Sequence, residues 1–458
     1  MSVPQSPFAI IDATVIMSQS DGNNIQVDIS SNVVEFEIFE HLQKPYLDAR
    51  IVFIDDFAFR DTLSTQGSER LVLTVGDPNE PDKPLFTKGF FFSKVNDTQK
   101  MGERTEILSL DLVEDHVLIS TVKQFSKSYR GTFEEIISEI AVSELFAGTD
   151  RKVVEDKFEG SAQGTRKVIV PYLSPLEAIQ WVKDRATTRS GGPIYLKSSL
   201  YTNNLLLSDF DSLMREEAVN LKTPLRHSTA AQSINQEDER LRPYFEIAAY
   251  SEKDNADMLR LYEEGAIGSF YSTVDAGKGV TLGQHISVRD VIEELYTNEI
   301  LSADQSQSVF DPTLLIGDKL SDEYNSLHVF QVTSTATYNQ FSSYHDEAQL
   351  LDQANNIVES KLKVKNKLIR SIMSKNVLDI GIDGRMLLEG RIEAGSKLRL
   401  LFLSPDVNAD GKDSFDQIDK RKSGDYLILA VNHKFLDQNH NAVLRMTKLG
   451  EIPKDFTL

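Results

Sequence analysis

The chain has 458 residues, 40% of them hydrophobic, no cysteine and a formal net charge of −21. A single core stops growing at about 250–300 residues, so roughly two to four domains are expected, with enough apolar residues to fill them. Lack of cysteine excludes disulfides, iron–sulfur clusters, thiolate zinc sites and cysteine nucleophiles, and the acidic balance argues against a general nucleic-acid binder, which needs Lys and Arg in excess.

Met1 to Gln19 has no basic stretch followed by an apolar core, and Asp12 interrupts the one candidate run. No signal peptide is expected there. No stretch along the chain approaches about 18 apolar residues, so no membrane insertion is expected. Residues 1–125 read as all-β. From Val34 to Glu40, apolar and acidic residues alternate with the period of a strand buried on one face. Lys44-Pro45-Tyr46 breaks the pairing, and Ala49 to Ile54 begins a second strand that ends at Asp55-Asp56. Leu71–Val75, Gly89–Val95 and Thr105–Leu112 continue the set, and Gly76 to Pro84, with Pro78 and Pro81, is a loop tip. A five- or six-stranded antiparallel barrel or sandwich is the natural closure.

The period then changes. Thr132-Phe133-Glu134-Glu135 and Ser174-Pro175-Leu176-Glu177 are capping boxes, the second with proline at the first helical position. Ile136, Ile137, Ile140, Ala141 and Leu145 follow the first at helical spacing up to Gly148. Ala178, Ile179, Trp181, Val182 and Ala186 follow the second. Ile194–Leu196 and Asn204–Ser208 read as a hairpin, so 126–235 is a compact α+β insertion. Residues 236–285 return to strands, punctuated by Gly265, Gly268, Gly277, Gly279 and Gly283. A mixed and helical stretch, 286–375, ends in a helix expected over His345–Lys375. That helix is rich in lysine at Lys361, Lys363, Lys365 and Lys367, a spacing that an edge strand would also show. Its basic face reads as solvated surface or as a contact for an acidic partner subunit. Val377–Ile382, Lys397–Leu403, Tyr426–Phe435 and Ala442–Leu449 are four final strands. Residues 236–285 and 376–458 are therefore assigned to a second β unit.

Motifs that carry chemistry are scarce. There is no G-x-S-x-G, no H-E-x-x-H and no complete phosphate loop; Ala276-Gly277-Lys278-Gly279-Val280 reads as a turn. The eight histidines are scattered singly and read as structural or surface residues; His433 and His440 do not share a helical turn. Asp55 and Asp56 point to opposite faces of a strand end, and no carboxylate pair stands out for glycoside hydrolysis. One local pattern resembles a calcium loop: Asp406, Asn408 and Asp410 with Gly411, but Gln417 stands where the bidentate Glu belongs. The alternative there is an Asx-rich hairpin loop. No cofactor and no catalytic residue are expected. Avoidance of cysteine fits a protein made in a reducing cytoplasm.

Several patches, in order, carry a resemblance. Val34 to Leu47, with its acidic-hydrophobic run and Lys44-Pro45-Tyr46 turn, is similar to the opening of baseplate central hub proteins of T-even-like contractile-tailed phages. Ile51 to Asp56, Gln66-Gly67-Ser68-Glu69, the capped helix from Ser174 through Trp181, and Ser423 to His433 closing on Leu444-Arg445-Met446 resemble the same family. The resemblance implies an α+β, β-rich fold with two tube-type antiparallel β-barrel domains interrupted by smaller α+β insertion domains. It also implies a homotrimeric ring, located in the tail baseplate of the virion and assembled in the host cytoplasm. Such a ring joins a central spike protein to the hexameric tail tube or tube-initiator proteins, contacts baseplate wedge proteins, and lets genomic DNA pass without specific binding. Related architecture occurs in type VI secretion spikes, where hub and spike are fused. Here no oligonucleotide-fold domain or β-helical repeat precedes Leu458, which suggests a separate spike. The implied role is structural, not enzymatic. Another tail component, such as a distal tail or host glycan-binding protein, is the alternative, and a cell-wall hydrolase is the third reading.

Overall fold

The computed structural model describes residues 8–18, 24–56, 69–102, 105–227, 245–254, 259, 263, 267–275, 280–301, 327–333, 349–350, 357–404, 418–436 and 439–449. The N-terminal unit contains β1 (Ala9–Ser18), β2 (Asn24–Asp28), β3 (Val33–His41), β4 (Asp48–Asp55), β5 (Arg70–Gly76), β6 (Pro84–Lys100) and β7 (Glu106–Glu114). They pair antiparallel in the order β3-β4-β7-β6-β5-β1-β2. Alternation decides which face is buried. Leu71, Leu73 and Val75 of β5 point inward with Ala49, Ile51 and Phe53 of β4 and Phe36 and Ile38 of β3. Each such apolar side chain contributes about 1.5–3 kcal/mol on burial. Among the described residues the unit has seven strands, where five or six were expected. The first is hard to read because its ladder with β5 slips between Ile10 and Asp12, and that irregularity breaks the period of two.

The insertion follows with α1 (Asp115–Val122), β8 (Phe125–Gly131), α2 (Phe133–Ile140), β9 (Val153–Glu155), β10 (Arg166–Leu173), α3 (Pro175–Lys183), β11 (Ile194–Ser198), β12 (Leu205–Asp209) and α4 (Phe210–Arg215). Both capping boxes form. The Glu135 carboxylate accepts from Thr132 N–H at 2.9 Å, and Glu177 accepts from Ser174 N–H at 3.0 Å. A single π-helical turn, Ala141–Leu145, extends α2, and Gly148 turns the chain away at φ +80°. Phe133, Ile136, Ile137 and Ile140 pack with Ile179, Val182, Leu196 and Leu207 into a core of their own. β11 and β12 make the expected hairpin.

The remaining elements are β13 (Leu225–His227), β14 (Ile247–Asp254), β15 (Gly268–Asp275), β16 (Val280–Ser287), α5 (Val288–Thr297), β17 (Leu327–Thr333), β18 (Gln349–Leu350), α6 (Ile357–Lys375), β19 (Asn376–Asp383), α7 (Arg385–Gly390), β20 (Lys397–Phe402), β21 (Gly424–Leu436) and β22 (Asn439–Thr447). β14-β19-β22-β21 run antiparallel, β21 also pairs with β20, and β20 pairs parallel with β13. Leu378, Ile380, Leu398, Ile428 and Leu444 supply a third core.

Several expectations need correction. β15 and β16 do not extend the C-terminal sheet. With β17 they form a separate three-stranded sheet, and Gly268 and Gly283 lie within its strands, not at turns. Among the described residues of 236–285, β14 alone joins the larger sheet as a strand, while β13, from the stretch assigned to the insertion, also pairs into it. The lysine-rich segment is helix, not edge strand, but α6 starts at Ile357, and Gln349–Leu350 pairs parallel with β10. Lys365 is buried and ion-paired with Glu294, so the basic face is not wholly solvated.

The two β units are one thirteen-stranded sheet, because β21 pairs with β3. Residues 424–427 of β21 serve β20, and residues 430–436 serve β3. The ladder with β22 slips between Ile428 and Ala430, which lets one edge of a long strand change partner. Among the described residues the pairings run as an open path from β14 to β2, and none closes either half into a barrel.

Candidate functional site at the seam between the two β units

The β3–β21 seam has two faces with different chemistry. On the outer face, the register aligns Lys434, Glu37, Arg50 and Asp111 across β21, β3, β4 and β7. Lys434 lies 3.5 Å from Glu37, and Arg50 lies 3.0 Å from Asp111. Arg445 of β22 grips Asp379 of β19 with two hydrogen bonds at 3.0 and 3.1 Å. Such exposed pairs contribute about 0.2–1 kcal/mol each, and they set register more than stability. Beside them is an open groove of about 370 Å³, lined by Phe39, His41, Lys44, Asp379, Val443 and Arg445 among others. Burial, and then the charges of Lys44, Arg445 and Lys183, hold the His41 imidazole below its ordinary pKa.

The inner face buries charge. Burial alternates without a break to the end of β3, but the residue types stop following it: Glu40 points inward and is 2% exposed, while Phe39 faces outward. One Glu40 oxygen accepts from Ala394 N–H at 3.1 Å, and the other lies 3.4 Å from His433 Nε2. His433 Nδ1 in turn meets His440 Nε2 at 3.1 Å. Next to this chain, Glu393 accepts from Ser199 Oγ at 2.5 Å and Leu200 N–H at 2.8 Å, and Lys197 Nζ lies 3.4 Å away. Burial raises the Glu393 pKa, the Lys197 charge opposes that, and Glu40 adds to it. Lys88 of β6 donates to Thr202 C=O at 2.6 Å beside Glu114, whose carboxylate accepts from Leu47 N–H at 2.8 Å. Burial holds the Lys88 pKa down. Lys183, pushed down to about 8 by burial, donates from α3 to Gln43 C=O at 3.0 Å. These side chains come from both β units and from the insertion, so the polar interior is a three-way joint.

As chemistry, the arrangement is a clamp. The carboxylates are occupied by backbone N–H groups and cations, and among the described residues no group of three or more His, Asp or Glu side chains could hold a metal ion. Asp406, Asn408 and Asp410, the calcium-loop candidates, lie outside the described residues, as do Gln66–Ser68 and 276–279. Asp55 is buried and Asp56 exposed, on opposite faces as alternation requires. Trp181 packs at the margin of the insertion core, and the Arg185 guanidinium covers its ring at 3.9 Å.

Reading the histidines as scattered missed the pairing of His433 and His440. The β21–β22 hairpin sets His440 opposite Phe435 and His433 opposite Ala442, so the two imidazoles are diagonal neighbours on one face. The signal in the sequence was two strand-like runs separated by a short connection.

No protein-family profile and no curated protein matches the sequence. Solved structures do match in fold. A tail protein from Neisseria meningitidis MC58 superposes with a TM-score of 0.51 at 11% identity, over 96% of both chains. The 43 kDa tail protein of prophage MuSo2 from Shewanella oneidensis gives 0.49 at 12% identity, over 96% of this chain and 100% of that one. An Escherichia coli component of the type VI secretion system, described as structurally similar to T4 bacteriophage tail proteins, gives 0.41 at 9% identity, over 93% and 75%. The fold is therefore similar to that of the Neisseria tail protein over nearly the whole length of both chains.

Proposed function

We propose that this chain is a structural baseplate hub of a contractile phage tail. In this reading it forms a homotrimeric ring between a central spike protein and the hexameric tail tube, held by wedge proteins, with genomic DNA passing through its centre. One observation carries the proposal: a single polypeptide joins two β units, each with its own core, edge to edge through β3 and β21. We read each as a tube-type domain. Three copies then present six similar units to a sixfold tube while keeping threefold symmetry for a spike. The end-to-end likeness in fold to a tail protein supports this reading. So does the side-chain chemistry of the seam, whose inner carboxylates accept from backbone N–H groups and pair with a buried lysine. The net charge of −21 suits a wall that DNA must pass without sticking. A glycan-binding role is less well supported, because Trp181 has its ring face covered by Arg185.

Native mass spectrometry of the purified chain, alone and with a candidate spike protein from the same genome, tests the proposal. A threefold stoichiometry is expected in at least one sample. A strict monomer in both, or muramidase activity in the chain, overturns it.

A further inference from the structure

We propose that Glu40, His433 and His440 form a proton-operated latch that holds the two β units together at neutral pH and loosens the seam on acidification. The three side chains come from β3, β21 and β22, and each is no more than 2% exposed. Glu40 Oε1 and His433 Nε2 stand 3.4 Å apart, and His433 Nδ1 and His440 Nε2 stand 3.1 Å apart. The imidazoles stack at 5.3 Å with 16° between planes, and His440 stacks on Phe435 at 4.5 Å. Gly384 lies flat on the far side: a Cβ there would come within 2.2 Å of the His440 ring. The row is packed closely on both sides.

Proton bookkeeping makes this row a switch. The 3.1 Å contact needs one nitrogen to donate and the other to accept, so it tolerates only one hydrogen between the rings. A first added proton can sit on His433 Nε2 facing the Glu40 carboxylate. A second leaves N–H groups on both sides of the contact and places two cations in one buried stack. Glu40 Oε1 and His433 Nε2 have no hydrogen-bond partner, and beyond the Gly384 backbone contact of His440 the row holds little to absorb that change.

The surroundings offer little relief. Glu40, Glu114 and Glu393 face Lys88, Lys197, Arg151 and Arg391 in the same polar interior, with the Tyr201 hydroxyl held neutral among them. With Asp115, which Arg151 also grips, the carboxylates and cations balance, so the interior carries no surplus of negative charge to neutralise a second imidazolium. Burial, with the neighbouring His433 adding to it and a Gly384 backbone contact opposing it, keeps His440 well below its ordinary range. The unfolded imidazole accepts a proton near pH 6.5, so the stabilisation is complete above about pH 6.5 and is lost progressively below it.

Hydrogen–deuterium exchange of the full chain at pH 7.5 and 5.0, corrected for intrinsic rates, tests the latch. Protection of β3 and β21 is expected to fall several-fold at pH 5.0 relative to β5, because the opened seam exposes an imidazole that takes up a proton the closed row excludes. His440→Phe keeps the stack on Phe435 and removes the titration, so its seam should stay protected at pH 5.0. His41→Gln, on the outer face of the same strand, should loosen as the parent does. Because His440→Phe could fail to fold, proton uptake on unfolding of the parent chain is measured as well. Uptake beyond that of the other histidines, between pH 5 and 6.5, is expected. Equal exchange of β3, β21 and β5 at both pH values, or a His440→Phe seam that loosens like the parent, overturns the inference.

Discussion

Glu40 accepts a hydrogen bond from the backbone N–H of Ala394 at 3.1 Å, across 354 residues of chain. The acceptor sits on the last inward position of β3, in the N-terminal unit, and the donor follows α7 in the C-terminal unit. The contact lies beside the only strand pairing that joins the two units among the described residues, β3 with β21. A carboxylate here specifies how the halves meet, which an apolar side chain in its place would not do.

Replacing Glu40 by alanine leaves the Ala394 N–H buried without a partner and opens space beside His433. A loss of about 1–3 kcal/mol is expected at neutral pH from the unsatisfied donor alone. Glu40→Gln keeps an acceptor and should lose less. Urea unfolding with an unchanged m-value checks both.

Lys197 and Glu393 form a pair whose side chains are 7% and 11% exposed. Breaking a buried pair from one side strands the other charge and costs about 3–5 kcal/mol. Lys197→Met should therefore destabilise more than the double variant Lys197→Met, Glu393→Leu. A double-mutant cycle by chemical denaturation reads the difference.

Asp115, at the start of α1, is held well below the ordinary carboxylate range. Burial works against this, but the hydrogen bond from His116 and the Arg151 guanidinium at 2.6 Å outweigh it. A depressed pKa in the folded state means stability that is present above about pH 4 and is lost as acid protonates the group. The parent chain should thus lose more stability than Asp115→Asn between pH 4 and pH 2, as seen in thermal unfolding across that range.

The two capping boxes should behave as separate helix starts. Thr132→Ala and Ser174→Ala are each expected to cost about 1 kcal/mol, since each leaves first-turn N–H groups without their side-chain acceptor. Proline at the first position of α3 keeps φ preset, so Ser174→Ala should leave that helix intact while lowering the unfolding midpoint.

What could be read from the residues alone was local. The alternation in β3, β4 and β5, the capping boxes at Thr132 and Ser174 and the final four strands all appear where the sequence places them, because each depends on a period or a cap contained within a few residues. The same rule failed where a partner from far along the chain decides. Glu40 falls on the buried face of β3 by its period, but only Ala394, from far along the chain, gives its carboxylate a partner there, and His433 and His440 looked unrelated until the β21–β22 hairpin stacked them. Likewise β15 and β16 read as part of the second β unit, but pairing with β17 drew them into a sheet of their own. The sequence by itself determined the class of element and the buried stripe of each strand. Only the tertiary structure decided which edges meet and which charges are enclosed, because strand edges carry the same backbone donors and acceptors whatever their side chains.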